Sequence, residues 1–137
     1  MSGVSTDGSI LLGKYLFDLE PVPEFYYLAL VLGLPDSDLD ASQLLEPDDG
    51  TYSRVQLPTG PGDWAVDNTN AITNTSAIEF GESAVVWGNI AGFVLCTAAT
   101  DGDIICWGEF EVSTFIGAGV PLIIPEGSIS FGFVSPN

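Results

Sequence analysis

FVLCTAATDGDIICWGEFE, residues 93–111, decides the fold. Two β-rich runs, Phe93 to Ala99 and Asp103 to Glu111, flank Thr100-Asp101-Gly102, and a three-residue loop with Gly in the left-handed position is a standard closure for an antiparallel hairpin. Outward from this hairpin, short β-rich runs bounded by Gly, Pro, Asp and Asn recur at close intervals, while helical periodicity is weak. The expected class is all-β, a single antiparallel β-sandwich or barrel. Period-two alternation puts Ile78 and Phe80 on one face of one run, and Ile129, Phe131 and Phe133 on one face of another. These five are core candidates. The Pro-Leu-Ile-Ile-Pro run at 121–125 reads as a short strand starting at an edge, and Gly119, Gly127 and Gly132 mark turns or a bulge.

Toward the N-terminus, Pro21-Val22-Pro23 has two fixed φ angles and two missing amide donors, which disfavour both helix and ladder. It separates an extended N-terminal arm, residues 1–23, from a sandwich domain, residues 24–137. The first core strand is expected from about Glu24 to Leu32. A polar segment follows from Pro35 to Gly50, with one helical turn at Ser42 to Leu45, and Thr51 to Leu57 forms the second strand. The Gly/Pro-rich stretch Pro58 to Gly62 and the Asn/Thr-rich stretch Asp67 to Ser76 read as loop or edge. A domain of this length can spare the arm from its own core, so Ile10, Leu11, Leu12, Tyr15, Leu16 and Phe17 are expected to pack on a neighbouring protein.

The 137 residues carry 19 Asp and Glu against 2 Lys and Arg, with no His, for a formal net charge of −17. Nucleic-acid binding is excluded, since affinity for phosphate comes from Lys and Arg displacing counterions and only Lys14 and Arg54 are present. Anionic membrane surfaces are excluded for the same reason. The longest apolar stretch, Tyr26 to Leu34, is too short to span a bilayer, which takes about 20 helical residues. The apolar run Ile10 to Phe17 is split by Lys14 and follows no basic segment, so it does not read as a signal peptide. Charged residues make up 15% of the chain and hydrophobic ones 46%, against about 25% charged in typical soluble domains. Part of the exterior is therefore expected to meet other proteins permanently.

Chemistry is sparse. Without His there is no Ser-His-Asp or Cys-His system and no imidazole ligand, so the chain is expected not to be an enzyme and to hold no cofactor. Asp36, Asp38 and Asp40 have the D-x-D-x-D spacing of a calcium loop, but Ala41 and Pro47 stand where an EF-hand needs Gly and a bidentate Glu. This reads as a solvated acidic loop, not a metal site. Glu109 and Glu111 lie two apart on one strand face, a spacing any alternating strand provides. Asp48-Asp49-Gly50 reads as a turn. Arg54, mid-strand among many acids, is expected to form a structural ion pair with Glu46, Asp48 or Asp49. Cys96 and Cys106 are equidistant from Asp101, which sets them opposite each other; reduced, buried thiols are the expected state. The sequon Asn74-Thr75-Ser76 is read as chance.

From Phe25 onward the order of features resembles a family of small tailed-bacteriophage virion proteins of tail-fibre, minor-tail or head-decorating type. The matching pieces are Tyr27-Leu28-Ala29-Leu30, the acidic-Gly-Tyr-x-Arg segment Glu46 to Arg54, and Ile78-Glu79-Phe80 leading into Trp87-Gly88-Asn89-Ile90. Phe93 to Thr97, the small-residue hairpin at Ala98 to Asp103, Trp107-Gly108 and Ile124-Pro125-Glu126-Gly127-Ser128-Ile129 follow. The resemblance implies a jelly-roll-like β-sandwich in the virion, assembled in the bacterial host cytoplasm. It also implies contact with the major capsid protein or other virion proteins, and a homo-oligomer, with a trimer the expected form. Capsid decoration, as a cement protein, is the preferred role; a tail or tail-fibre subunit is the alternative. A glycan-binding adhesion module is the other, motivated by Trp64, Trp87 and Trp107 beside the Asn/Thr-rich stretch. Tryptophans in core or interface positions would favour a structural role, and exposed rings beside acids and amides would favour glycan binding.

Overall fold

A computed structural model describes residues 2–4, 6–33, 44–59, 62–69 and 71–131. The hairpin forms from β7 (Gly88–Cys96) and β8 (Ile104–Ile116). Its turn is held by Thr97 N–H donating to the Asp103 carbonyl at 3.0 Å and Asp103 N–H donating to Thr97 Oγ1 at 2.9 Å. Asp101 and Gly102 both adopt positive φ, 52° and 77°, and a Cβ on Gly102 would stand only 2.8 Å from Thr97 Oγ1. The hairpin is the centre of a five-stranded antiparallel sheet of order β1-β8-β7-β2-β3, where β1 is Ser2–Val4, β2 Phe25–Val31 and β3 Val55–Pro58. Facing it are a three-stranded sheet, β10-β5-β4, and a two-stranded one, β6-β9. Here β4 is Trp64–Val66, β5 Ile72–Asn74, β6 Ile78–Glu82, β9 Pro121–Ile124 and β10 Ser130–Phe131. The protein is an all-β antiparallel sandwich with one helix.

The main core lies between these layers. Leu28, Leu30, Phe93 and Leu95 from the large sheet meet Ile78, Phe80, Ile124 and Phe131 from the small ones, together with Ile129. Four of the five alternation-derived core candidates are buried there, and Phe133 lies outside the described residues. Phe93 packs on Phe110 and Phe131 with ring centroids 5.3 Å away in each case. Its ring also lies over Gly108, its cross-strand partner, filling the space a side chain there would take. The reverse face of the large sheet is buried too: Ala29, Val31, Val94, Cys96 and Ile104 are essentially inaccessible, with Leu44, Tyr27 and Trp107 packed against them. This explains the unbroken apolar run at β2, since a strand covered on both sides needs apolar residues at every position.

The first 23 residues are not an extended arm. Residues 2–4 pair with β8 as an edge strand, and α1 (Thr6–Leu16) crosses the same strand. Gly8 makes the crossing close: a Cβ there would collide with the Ile105 carbonyl. The helix ends when Asp18 turns left-handed at φ 56°. Leu19 N–H then reaches the Lys14 carbonyl at 2.8 Å and Asp18 N–H the Tyr15 carbonyl at 3.3 Å. This is a Schellman stop with Asp in the place usually held by Gly. Two other expectations shift. The second strand begins at Val55 instead of Thr51, because residues 49–54 are engaged by side-chain clusters described below. The Asn/Thr-rich stretch supplies β5, a central strand between β10 and β4.

Register also separates the cysteines. A bulge between Leu95 and Cys96 pairs Leu95 with Cys106 and Cys96 with Ile104. Cys106 joins the main core and Cys96 the reverse-face cluster, so they are not opposed. Both are free and buried. Burial raises both thiols, Cys96 to about 12, where the nearby Arg54 charge only partly offsets it. Neither is a reactive thiolate at neutral pH.

Candidate functional site

Three arrangements could carry function: the surface of α1, a polar cluster around Arg54, and a second cluster around Asp49.

On α1, Gly8, Leu11 and Tyr15 face the sandwich at helical spacing. Leu11 is buried in the core, and Tyr15 is half-buried against it. Of the six arm residues expected to meet a neighbour, these two therefore serve the chain's own fold. Ile10 and Leu12, and more fully Leu16 and Phe17 at 78% and 73%, are exposed; the apolar surface continues through Leu19, Val22 and Phe25. From residue 9 to its end the helix carries Ile10, Leu11, Leu12, Tyr15 and Leu16 around more than half of its circumference, with Ser9, Gly13 and Lys14 among and beside them. That apolar sector is wider than the single stripe needed to face one core.

Arg54 is 9% exposed and forms a forked pair with Glu46: Nε donates to Oε1 at 2.9 Å and Nη2 to Oε2 at 3.0 Å. Nη1 donates to the carbonyls of Ala98 and Asp101, each at 2.9 Å, in the β7–β8 turn. Tyr52 Oη donates to Glu46 Oε1 at 2.8 Å and accepts from Leu30 N–H at 3.0 Å. Burial and the Glu46 carboxylate push the Tyr52 hydroxyl far above its ordinary range. Of the three carboxylates considered in sequence, Glu46 is the partner, and the guanidinium clamps the 46–54 segment to the turn. The groove here, about 370 Å³, is lined by these same committed groups.

Asp49 is the residue that sequence reading undervalued. Its Oδ1 accepts from Thr51 N–H at 2.9 Å; its Oδ2 accepts from Ala84 N–H, Val85 N–H and Trp87 Nε1 at 2.8, 3.2 and 2.8 Å. Four donors converge on one carboxylate. The Thr51 amide and the Trp87 indole do most to hold its pKa far below the usual carboxylate range. The only prior signal was an Asp before Gly50, which reads equally well as a turn. Asn74 and Ser83 are similar: Asn74 braces the β9–β10 connection through Pro125 and Ile129 and its own turn into β6 through Ser76, and Ser83 braces Gly117 and Val120. The sequon nitrogen, Asn74 Nδ2, is thus already used in a buried site.

A group whose pKa is depressed by folding contributes stability above its unfolded value and loses it as pH falls through the folded one. Asp49→Asn is therefore expected to lower the thermal midpoint at about pH 7, and the gap from the parent chain should begin to narrow only below about pH 4, where free carboxyls protonate, and go on shrinking as the pH falls further toward the depressed folded value. Paired melting curves across that range check it.

The tryptophans are committed to packing. Trp87 is buried with its N–H on Asp49. Trp64 is half-buried, tilted against Phe131, and donates to the Pro58 carbonyl at 2.9 Å; Trp107 packs on the reverse-face cluster. A second groove, about 280 Å³, runs between Leu57, Trp64, Ile78 and Glu79. Asp36, Asp38 and Asp40 lie outside the described residues, as does the side chain of Glu111; Glu109 is exposed. Among the described residues no group of three or more Cys, Asp or Glu could hold a metal ion, and no helix is long and apolar enough to cross a membrane.

No curated protein matches the chain. Residues 19–132, which take in every strand of the sandwich except β1, match the family described as podophage GP4 fiber I protein gp80. The chain belongs to that family of phage virion structural proteins.

Proposed function

We propose that the protein is a non-enzymatic subunit of a phage tail fibre, with other virion proteins as its permanent partners and the outer face of α1 as its contact with them. The observation that carries this reading is the match of most of the chain to a fibre protein family. That match favours the fibre over the capsid-decorating position preferred from sequence. The large apolar side chains exposed on and just after α1, Ile10, Leu12, Leu16, Phe17 and Leu19, support the contact, and so does a chain low in charged residues. The polar clusters support a mechanical role, since Arg54, Glu46, Asp49 and Trp87 are all spent on tying loops to the sandwich. Assembly in the host cytoplasm suits two buried free thiols.

Gold-labelled antibody against the purified chain, applied to whole particles, tests the placement. Label on the tail fibres is the expected result; label spread over the capsid surface would return the protein to the decorating role.

A further inference from the structure

The outer side of α1 has room for a close neighbour. By helical spacing Gly13 stands opposite Gly8, Leu11 and Tyr15, the residues turned to the sandwich. Gly8 is required there by the Ile105 carbonyl, whereas nothing lies within 4 Å of the place a Gly13 Cβ would take. A glycine inside a helix costs about 1 kcal/mol relative to alanine, and the chain's own packing gives Gly13 nothing in return. Around this notch stand the exposed Ile10, Leu16 and Phe17, and the apolar surface runs on through Leu19, Val22 and Phe25. Together they expose on the order of 700 Å² of apolar area, above the roughly 300–600 Å² of the largest patch on a typical monomer and near the ~800 Å² each partner gives a standard interface. The family match starts at residue 19, so α1 itself lies outside the part matched to the family.

Charge selects the occupant. Asp18 and Glu24, both exposed, and Glu20, half-exposed, border the surface. Glu20 lies near enough to α1 to add to burial in raising the Tyr15 hydroxyl. Lys14 is the one side-chain cation among them, which leaves the rim net negative. A covering surface of the same sign is opposed, and that includes a second copy, whose 19 Asp and Glu stand against 2 Lys and Arg. Of those two cations Arg54 is already held by Glu46. We infer that the outer face of α1 docks on a different protein that presents an apolar ridge bordered by Lys or Arg, its cations meeting Asp18, Glu20 and Glu24 and its ridge closing on Gly13. In such a contact the apolar centre supplies most of the affinity, and the opposite charges around it steer the encounter and fix the register. The inference rests on reading α1 as the assembly contact and adds the chemistry of what it meets.

Synthetic amphipathic helices of about 18 residues, roughly five turns, stand in for the partner: a Leu/Lys peptide, a Leu/Glu peptide and a Ser/Lys peptide, each titrated into the full-length chain by calorimetry. The Leu/Lys peptide is expected to bind, less tightly as salt is raised, and the other two to bind at least about tenfold more weakly. Leu16→Ser with Phe17→Ser should lose about tenfold in affinity for it, while Val86→Ser with Phe115→Ser, at exposed apolar residues outside α1, should lose nothing. Glu20→Lys with Glu24→Lys should turn the preference toward the Leu/Glu peptide. Gly13→Ala should raise the thermal midpoint and yet weaken binding. The other substituted side chains are exposed or half-exposed, so midpoints near the parent's verify their fold. Leu/Lys binding that the α1 variants leave unchanged, or equal binding of the Leu/Glu peptide, would overturn the inference. So would dimerisation of the parent chain in sedimentation or its flotation with phosphatidylcholine vesicles, each of which gives the face to another occupant. Gold label on the fibres together with one of these failures would sink this contact alone; the expected peptide pattern with label on the capsid would sink the fibre placement alone.

Discussion

Replacing Arg54 with alanine is expected to lower the unfolding free energy by about 3–5 kcal/mol, the range for removing one partner of a buried ion pair. The size follows from what is left behind. The Arg54 side chain is 3% exposed and Glu46 is 22% exposed, so the carboxylate is stranded in a site with limited water. The carbonyls of Ala98 and Asp101 also lose their donor. Arg54→Lys retains the charge but cannot form the fork, and it should recover only part of the loss. Urea denaturation of the three proteins reads the differences. A cost below about 1 kcal/mol for Arg54→Ala would place the pair with exposed salt bridges and remove the clamp from the account.

Phe93→Ala is expected to cost a similar amount, about 3–5 kcal/mol, through the transfer and cavity terms of a buried aromatic. Phe93 is 2% exposed and is the side chain around which Phe110, Phe131 and the bare Gly108 are arranged. Against a typical total stability of about 5–15 kcal/mol, this is a large fraction. Phe115→Ala serves as the contrast. Its ring is largely solvent-exposed in the single chain, and a change within about 0.5 kcal/mol is expected. Equal costs for the two phenylalanines would mean that the sandwich interior is not where the structure places it.

Much of this sandwich was legible because its strands follow simple patterns. The 93–111 hairpin announces itself by a Gly at one of its two positive-φ positions, the other being Asp101, although the strands close at Cys96 and Ile104 around a longer turn than the three residues expected; the alternation at 78–80 and 129–131 marks the inward faces. What failed did so for identifiable reasons. Helix α1 hides because its C-terminal stop uses Asp18 in place of Gly and because Gly8 and Gly13 dilute its helical signal. Its apolar residues also spread around more than half of the circumference, so no single stripe stands out. The cysteine register was misread because a bulge leaves no trace in residue type. β5 was missed because Asn74 and its Thr neighbours carry a turn composition although Asn74 is buried and fully hydrogen-bonded. The site was legible in part. Arg54 stood out by scarcity, whereas Asp49 is one acid among 19, and only the converging donors distinguish it.

The buried state of both native cysteines offers a direct way to ask whether the α1 surface is covered in the virion. A Phe17→Cys chain presents one accessible thiol, while Cys96 and Cys106 stay shielded. Maleimide should label it readily in the isolated protein and hardly at all in assembled particles that contain the variant. Equal labelling in the two settings would show that the outer face of α1 meets water in the finished virion and would contradict its role as the assembly contact.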